Sequence, residues 1–270
     1  MTNIDVKPGD TVELEITGLS DLPSQETYLE LNFTLRSATN WAPGDHLIAW
    51  GQVQLHGPPT FPQLKALATP SAPKYKQVSP QLLEITSSKG IQWIFNIVHG
   101  TLTSWKSPSG ENLIVSPPVM DFYRAQTDND EPVGRSWTGS RLHQTKPHVR
   151  SVSWSSTPDN VTITVETRIA PPVFEWSVNV LFTYTFTSSH LSIKVAGEPR
   201  GNNFPSVFAR IGLTLSLAGI ETAEWFGRGP GESYRDKKLS QKIGNFSSAI
   251  DDLFTDYEFP QESGNRTDTR

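Results

Sequence analysis

Apolar and polar residues alternate one by one along much of this 270-residue chain, as they do in β-strands that bury one face. In YLELNFTLR, residues 28–36, every second side chain is apolar and the ones between are polar. The same alternation runs through TVELEIT (residues 11–17), HLIAWGQVQL (residues 46–55) and the stretch Phe174–Thr187. The pattern predicts a chain built mainly from antiparallel strands.

The strand pattern is interrupted once, and the interruption divides the chain. Three strands within residues 1–57 predict a small β-sandwich. Six prolines follow in the 24 residues from 57 to 80. Because proline has no backbone N–H, we expect residues 58–80 to be an extended linker. Strands resume after residue 80, and no convincing helical period occurs between Ser79 and Leu217. We therefore expect residues 81–270 to form a second, larger all-β domain with few helices.

The composition narrows the classes of function. The net charge of −5 argues against nucleic acid or an anionic membrane as partner, because phosphate binding needs concentrated Lys and Arg. The chain has no cysteine and its six histidines are scattered, so we expect no metal site. The sequence shows neither the apolar segment of a secretion signal nor an apolar run of membrane-spanning length. We therefore expect a cytoplasmic protein.

A first candidate site is FYRAQTDNDEPVGRSW, residues 122–137. Asp128, Asn129 and Asp130 form a carboxylate–amide–carboxylate triplet that follows Arg124. Two carboxylates in one loop offer oxygen atoms to a cation or to the hydroxyls of a sugar. The alternative is a turn in which the Asp and Asn side chains bond to their own backbone. An EF-hand is excluded, since its glycine and its distal glutamate are missing.

Two further candidate segments are rich in glycine, proline and charge. WFGRGPGESYRDKK, residues 225–238, superficially matches a dinucleotide-binding loop, but that loop requires a preceding parallel strand and a following helix. We reject phosphate binding and expect an irregular loop whose polar side chains face a pocket or an interface. YEFPQESGNRTDTR, residues 257–270, carries a third polar cluster, for which an ordinary surface loop is the alternative.

Together the three segments resemble a known family. They are similar to the signatures F-W-R-A-P-T-D-N-D, W-x-G-R-G-P-x-E-N-Y-x-D-R and Y-x-x-P-Q-E-N-G-N-R of the small-chain region of β-galactosidases of glycoside hydrolase family 2. KPGDTV and WAPGDHLIAWGQ resemble the small domain that precedes that region. The resemblance covers nearly the whole chain and rests on three separate motifs.

The resemblance implies an all-β fold: a small immunoglobulin-like β-sandwich in residues 1–57, a Pro-rich linker in 58–80, and in 81–270 a large β-supersandwich of the galactose mutarotase-like type, truncated at the C-terminus. In this family two glutamates on a (β/α)₈ barrel catalyse hydrolysis, and that barrel carries Mg and Na. The barrel lies outside this chain, so the resemblance implies no catalytic residue, no metal and no cofactor here. The family's sugar-stacking aromatic would fall after Arg270.

The resemblance also implies roles for particular residues. A loop flanking the sugar pocket would comprise Arg124, Asp128, Asn129, Asp130 and Arg135, with Glu131–Ser140 as its mobile part. The structural motif would comprise Trp225, Gly227, Arg228, Gly229, Pro230, Glu232, Tyr234, Asp236, Glu262, Asn265 and Arg266. Three positions depart from the family pattern: Gln126 stands where proline is usual, and Ser233 and Ser263 stand where asparagine is usual.

The leading hypothesis is a non-catalytic part of a lactose-hydrolysing β-galactosidase that adds a carbohydrate-binding wall and assembly surfaces. Its partners would be β-galactoside sugars, a barrel-containing chain or domain, and further copies of itself. One alternative is a free-standing carbohydrate-binding module that stacks sugars on Trp137 or Trp225, and another is a galactose mutarotase-like enzyme. A last alternative is a truncated product whose open sheet edge leaves it poorly folded.

Overall fold

The computed structural model describes residues 4–19, 22–57 and 72–270. The chain forms two compact units, Met1–Leu67 and Ala68–Arg270. Every strand pair within the described residues is antiparallel, which confirms the all-β prediction. No helix within these ranges is both long enough and apolar enough to cross a membrane.

The first unit contains one two-stranded sheet among its described residues, made of β1 (Thr27–Thr34) and β2 (Leu47–His56). Both strands match the alternating segments of the sequence. The strand predicted in residues 11–17 is wrong, because this segment pairs with no described strand. Its apolar side chains Val12 and Leu14 stay 50% and 46% exposed. Alternation makes a strand only where a neighbour supplies backbone hydrogen bonds.

The predicted linker is described only in its last part, since residues 58–71 lie outside the described residues. That last part corrects the prediction: β3 (Lys74–Ser79) is an edge strand of a sheet in the second unit. Pro73 and Pro80 flank this strand and none lies within it, so all of its backbone N–H groups are available.

The second unit is built on two four-stranded sheets. The first has the order β3–β4–β5–β6, with β4 (Leu82–Thr86), β5 (Gln92–Asn96) and β6 (Thr101–Lys106). Before the second sheet come β7 (Ile114–Asp121) and the helix α1 (Glu131–Gly139). The second sheet has the order β11–β10–β9–β8, with β8 (Lys146–Ser156), β9 (Val161–Ala170), β10 (Ser177–Phe186) and β11 (Leu191–Arg200).

The inner faces of the two sheets meet in an aromatic core. The Trp93 ring packs edge-on against Phe186 with centroids 5.3 Å apart, and the Phe95 ring packs edge-on against Tyr184 at 5.0 Å. Such pairs contribute about 0.5–1.5 kcal/mol beyond the area that they bury. All four rings are no more than 1% exposed, and burial raises the pKa of Tyr184 to about 12. The core therefore holds the sheets together as a β-sandwich.

Two further strand pairs complete the unit: β7 with β12 (Gly212–Leu217), and β13 (Thr222–Gly229) with β14 (Lys242–Ala249). The helix α1 corrects the prediction of a loop at residues 131–140. Pro132 stands in its first turn, where the missing N–H costs nothing, and Trp137 is 2% exposed in the core. Nine residues are too few for a clear helical period in the sequence.

Candidate functional site

Hydrogen bonds join the three sequence motifs, which are far apart along the chain. The side-chain amide of Asn129 in the first motif donates to Asp236 in the second, 107 residues away. The backbone N–H of Asp128 donates to Gln261 Oε1 in the third motif at 3.2 Å. We call residues 122–137, 225–238 and 257–270 together the motif junction.

Arg124 and Asp130 form the first ion pair of the junction. Two guanidinium nitrogens of Arg124 donate to the two carboxylate oxygens at 2.5 and 3.1 Å. Burial raises the pKa of Asp130, but hydrogen bonds from Arg124 and from the amide and hydroxyl of Thr127 outweigh it and lower the pKa. The guanidinium also lies 5.4 Å from the Trp137 ring and 5.7 Å from the Tyr234 ring. The Asp carboxylate is thus a fixed anion.

Glu232 is the centre of a second, more buried cluster. The residue is 8% exposed, and its carboxylate accepts hydrogen bonds from the Lys237 ammonium, the Tyr257 hydroxyl and the Gly264 amide. Burial raises the pKa of Glu232, yet these three donors lower it below its ordinary value. The same contacts raise the pKa of Lys237 against the effect of burial. The pair therefore stays ionised.

Tyr234 lies between the two ion pairs. Its ring is 5.0 Å from the Lys237 ammonium, and its hydroxyl is buried without a hydrogen-bond partner among the described residues. Burial, and after it the negative charges of Glu262 and Glu232, raise the pKa of Tyr234 to about 12. The phenol therefore remains protonated at neutral pH. It packs between the cations of the two ion pairs.

The third motif runs beside the second as an irregular ribbon. Ser233 donates its N–H to the Asn265 carbonyl at 2.8 Å, and the Asn265 side chain donates back to the Ser233 carbonyl at 2.8 Å. The Ser233 hydroxyl also accepts from the N–H of Thr267 at 3.0 Å. The serine that replaces the family's usual asparagine is therefore fully engaged. Farther along, Arg228 donates its N–H to the Thr267 carbonyl at 3.1 Å.

Close packing explains two glycines of the second motif. A Cβ on Gly227 would lie 2.7 Å from Thr269 Cα, and a Cβ on Gly229 would lie 2.6 Å from the Phe246 ring. Real side chains do not approach so closely, so both positions require glycine. The Gly229–Pro230 peptide bond is cis.

Two arginines tie the ends of the junction to backbone carbonyls. Arg228 donates to Asp268 at 2.7 Å, and its other nitrogen donates to two carbonyls at 2.8 and 3.0 Å. The hydrogen bond from Arg228 is the largest effect that lowers the pKa of Asp268. Arg266 donates to the Pro230 carbonyl at 3.1 Å and lies 5.6 Å above the Trp225 ring.

Some predicted site residues make other contacts than the prediction assigned to them. Arg135 is on the exposed side of α1, with 90% of its side chain in solvent, and it pairs only with Glu131 at 3.2 Å. Glu262 pairs with Arg210, which lies outside all three motifs. Trp137 is buried and donates to the Val207 carbonyl at 3.0 Å, so it presents no surface on which a sugar could stack.

The sequence reasoning missed Lys237, Tyr257 and Gln261, which complete the junction. All three stand inside quoted motifs, but their partners are in other segments, so no local spacing reveals them. Gln126, which stands where the family usually has proline, is accommodated by a small residue in α1. A Cβ on Gly134 of α1 would lie 2.2 Å from the Gln126 side chain, so the glycine makes room for that longer residue.

Residues 4–19, 22–57 and 72–270 bring no three His, Asp or Glu side chains together in a way that could hold a metal ion. The junction fixes three loops and the helix α1 in one arrangement. It does so through ionised pairs that do not easily exchange protons.

Comparison with known proteins matches this chain to two β-galactosidase families. The family described as "Beta galactosidase small chain" matches residues 87–270, and the family described as "Beta-galactosidase, domain 4" matches residues 1–56. The β-galactosidase of Kluyveromyces lactis is 31% identical over 254 residues, which are 92% of this chain and 24% of that protein. The β-galactosidases of Vibrio cholerae and Streptococcus thermophilus are each 27% identical over 99% of this chain. The chain spans about a quarter of the length of these relatives.

Proposed function

Because this chain belongs to the β-galactosidase small-chain family, we propose that it is a non-catalytic part of an enzyme that hydrolyses terminal β-D-galactosides. In this proposal the enzyme is of the glycoside hydrolase family 2 type. A catalytic barrel, in the same or another polypeptide, supplies the acid, the nucleophile and the sites for Mg and Na. This chain supplies a wall of the sugar pocket and surfaces for assembly.

The charge state of two carboxylates at the motif junction carries the proposal. A glycosidase needs one carboxylic acid whose raised pKa keeps it protonated at neutral pH, so that it can protonate the leaving group. Asp130 and Glu232 lie at the centre of the junction. Their pKa values are lowered because the cations Arg124 and Lys237 form ion pairs with the two carboxylates. Both are anions that hold loops in place, so neither can serve as the proton donor, which this proposal assigns to the catalytic part.

The first motif supports the role of a pocket wall. Its turn at Asp128–Asp130 leads directly into α1, and both are tied to the other motifs by Asn129 and by Arg124. A wall that orients sugar hydroxyls and excludes water gains most when it is held rigidly. The sugar, the partner chain and any oligomer remain parts of the proposal.

A chimaera tests the proposal. The 254 matched residues of the K. lactis β-galactosidase are replaced by this chain, and the enzyme without those residues serves as the control. We expect hydrolysis of a chromogenic β-galactoside by the chimaera and none by the control, because the junction restores the missing wall. A chimaera that folds cooperatively but hydrolyses no faster than the control would refute the proposal.

A further inference from the structure

One loop of the second unit turns its aromatic rings outward. In Phe254–Gln261, Phe254 is 68% exposed and Phe259 is 74% exposed, while Tyr257 and Gln261 are half-buried. Apolar rings normally face the interior, so two exposed phenylalanine rings in one short loop are unusual.

Two anchors hold the loop in this orientation. The Tyr257 hydroxyl donates to Glu232 and accepts from the Lys237 ammonium at 2.8 Å. Four residues later, Gln261 Oε1 accepts the N–H of Asp128 at 3.2 Å. Phe259 lies between these two anchors, and Phe254 lies three residues before the first of them. The exposure of the Phe259 ring is therefore a built feature of the loop.

The surroundings of the rings are acidic. Four carboxylates near them are exposed, and none forms an ion pair with another described residue: Asp251, Asp252, Asp256 and Glu258. At the exposures given, the two rings leave on the order of 300 Å² of apolar surface in water. A surface that complements this loop has apolar pockets with Lys or Arg at their rim.

We propose that Phe254–Gln261 is the docking segment through which this chain binds the catalytic part of its β-galactosidase. Phe254 and Phe259 enter apolar pockets of that part, and the four carboxylates meet its basic rim. This inference rests on the proposed function. Two observations indicate the catalytic part as the binding partner of this loop. The loop is anchored to the motifs that define the family, and about three quarters of each relative lies outside the matched region.

Hydroxyl-radical footprinting of the isolated chain and of the K. lactis chimaera tests the docking. The reagent oxidises exposed rings, so we expect oxidation of Phe254 and Phe259 to fall roughly 10-fold in the chimaera, as buried interface anchors do. Val173 and Leu239 are internal controls, since they are 91% and 87% exposed and lie outside the loop. Their oxidation is expected to stay unchanged.

A double variant separates docking from a structural role. F254S/F259S is expected to lower the thermal midpoint of the chimaera by roughly 4 °C and to leave that of the isolated chain unchanged, because the rings touch little there. L239S is the matched control and is expected to change neither midpoint, since Leu239 is 87% exposed.

Each outcome has a defined meaning. Equal oxidation of the two rings in both proteins, with an active chimaera, would overturn the docking and leave the proposed function standing. Protected rings in an inactive, folded chimaera would support the docking and overturn the proposed function, whereas exposed rings in such a chimaera would overturn both. Sedimentation showing that the rings pair two copies of the isolated chain, or protection of the rings by galactose alone, would also refute the docking.

Discussion

Asn129 donates its side-chain amide to Asp236, and this one hydrogen bond links two motifs that are 107 residues apart in the chain. Both side chains are exposed, so the bond contributes little by burial. Its importance is geometric, because it ties the turn before α1 to the loop that follows β13. The resemblance explains why these residues stand in motifs, and the contact shows what they do together.

A double-mutant cycle measures this link. N129A and D236A should each lower the free energy of unfolding by about 0.5–1.5 kcal/mol, the usual range for one hydrogen bond. The double variant should lose less than the sum, with a coupling of about 0.5 kcal/mol or more, because both changes remove one contact. Urea unfolding monitored by tryptophan fluorescence gives the values, and strictly additive losses would show that this hydrogen bond does not link the two motifs.

Arg124 is expected to tolerate no replacement by lysine. R124K keeps the charge but loses the bidentate contact with Asp130 and the planar stacking between Trp137 and Tyr234, so we expect a loss of about 2–3 kcal/mol in unfolding free energy. R135A is the matched control and should stay within about 0.5 kcal/mol, since Arg135 makes one exposed ion pair. Equal effects of the two changes in urea titrations would contradict the structure.

The pH dependence of stability reports on Glu232. Its pKa is lowered in the folded chain, so its contribution is fully present above the ordinary glutamate pKa of 4.5 and is lost as the pH falls below that value. We therefore expect the difference in unfolding free energy between the natural chain and E232Q to be constant from pH 7 to about pH 5 and to shrink below pH 4.5.

E258Q is the control for this pH series, because Glu258 is exposed and pairs with no described residue. Its difference from the natural chain should stay near zero at every pH. A difference for E232Q that does not change between pH 7 and pH 3 would mean that Glu232 is not held by Lys237 and Tyr257 as described.

The glycines of the second motif give a steric prediction. G227A places a methyl group 2.7 Å from a backbone atom of Thr269, which cannot rotate away, so we expect a loss of about 1–3 kcal/mol. G212A is the control, because a Cβ at Gly212 meets no atom within 4 Å. A thermal melt in which both variants unfold together with the natural chain would contradict the close approach of the two motifs.

The strands were the most predictable part of the structure, because alternation directly reflects which face of a strand is buried. The alternating stretch at Phe174–Thr187 contains β10. Alternation failed in residues 11–17, where the sequence cannot show whether a neighbouring strand exists. The helix α1 was missed because its face toward the core is defined by few residues, chiefly Val133 and Trp137.

The junction could be predicted only in part. The motifs identified which segments matter, since their glycines and charges are unusual for a β-protein. The pairing of Glu232 with Tyr257, or of Asp128 with Gln261, depends on how loops from different strands converge. That convergence is set by tertiary packing, and no spacing along the chain encodes it. The role of the sugar-flanking residues stays a prediction.

The central claim is that this chain holds loops in place and leaves the chemistry to another part of the enzyme. The most direct test is the rate at which the purified chain alone hydrolyses a chromogenic β-galactoside, compared with buffer and with the complete K. lactis enzyme. We predict a rate equal to that of buffer, because Asp130 and Glu232 are ionised and paired and the proposed catalytic acid and nucleophile lie in the other part. Hydrolysis by the isolated chain at a rate comparable to that of the complete enzyme would contradict it.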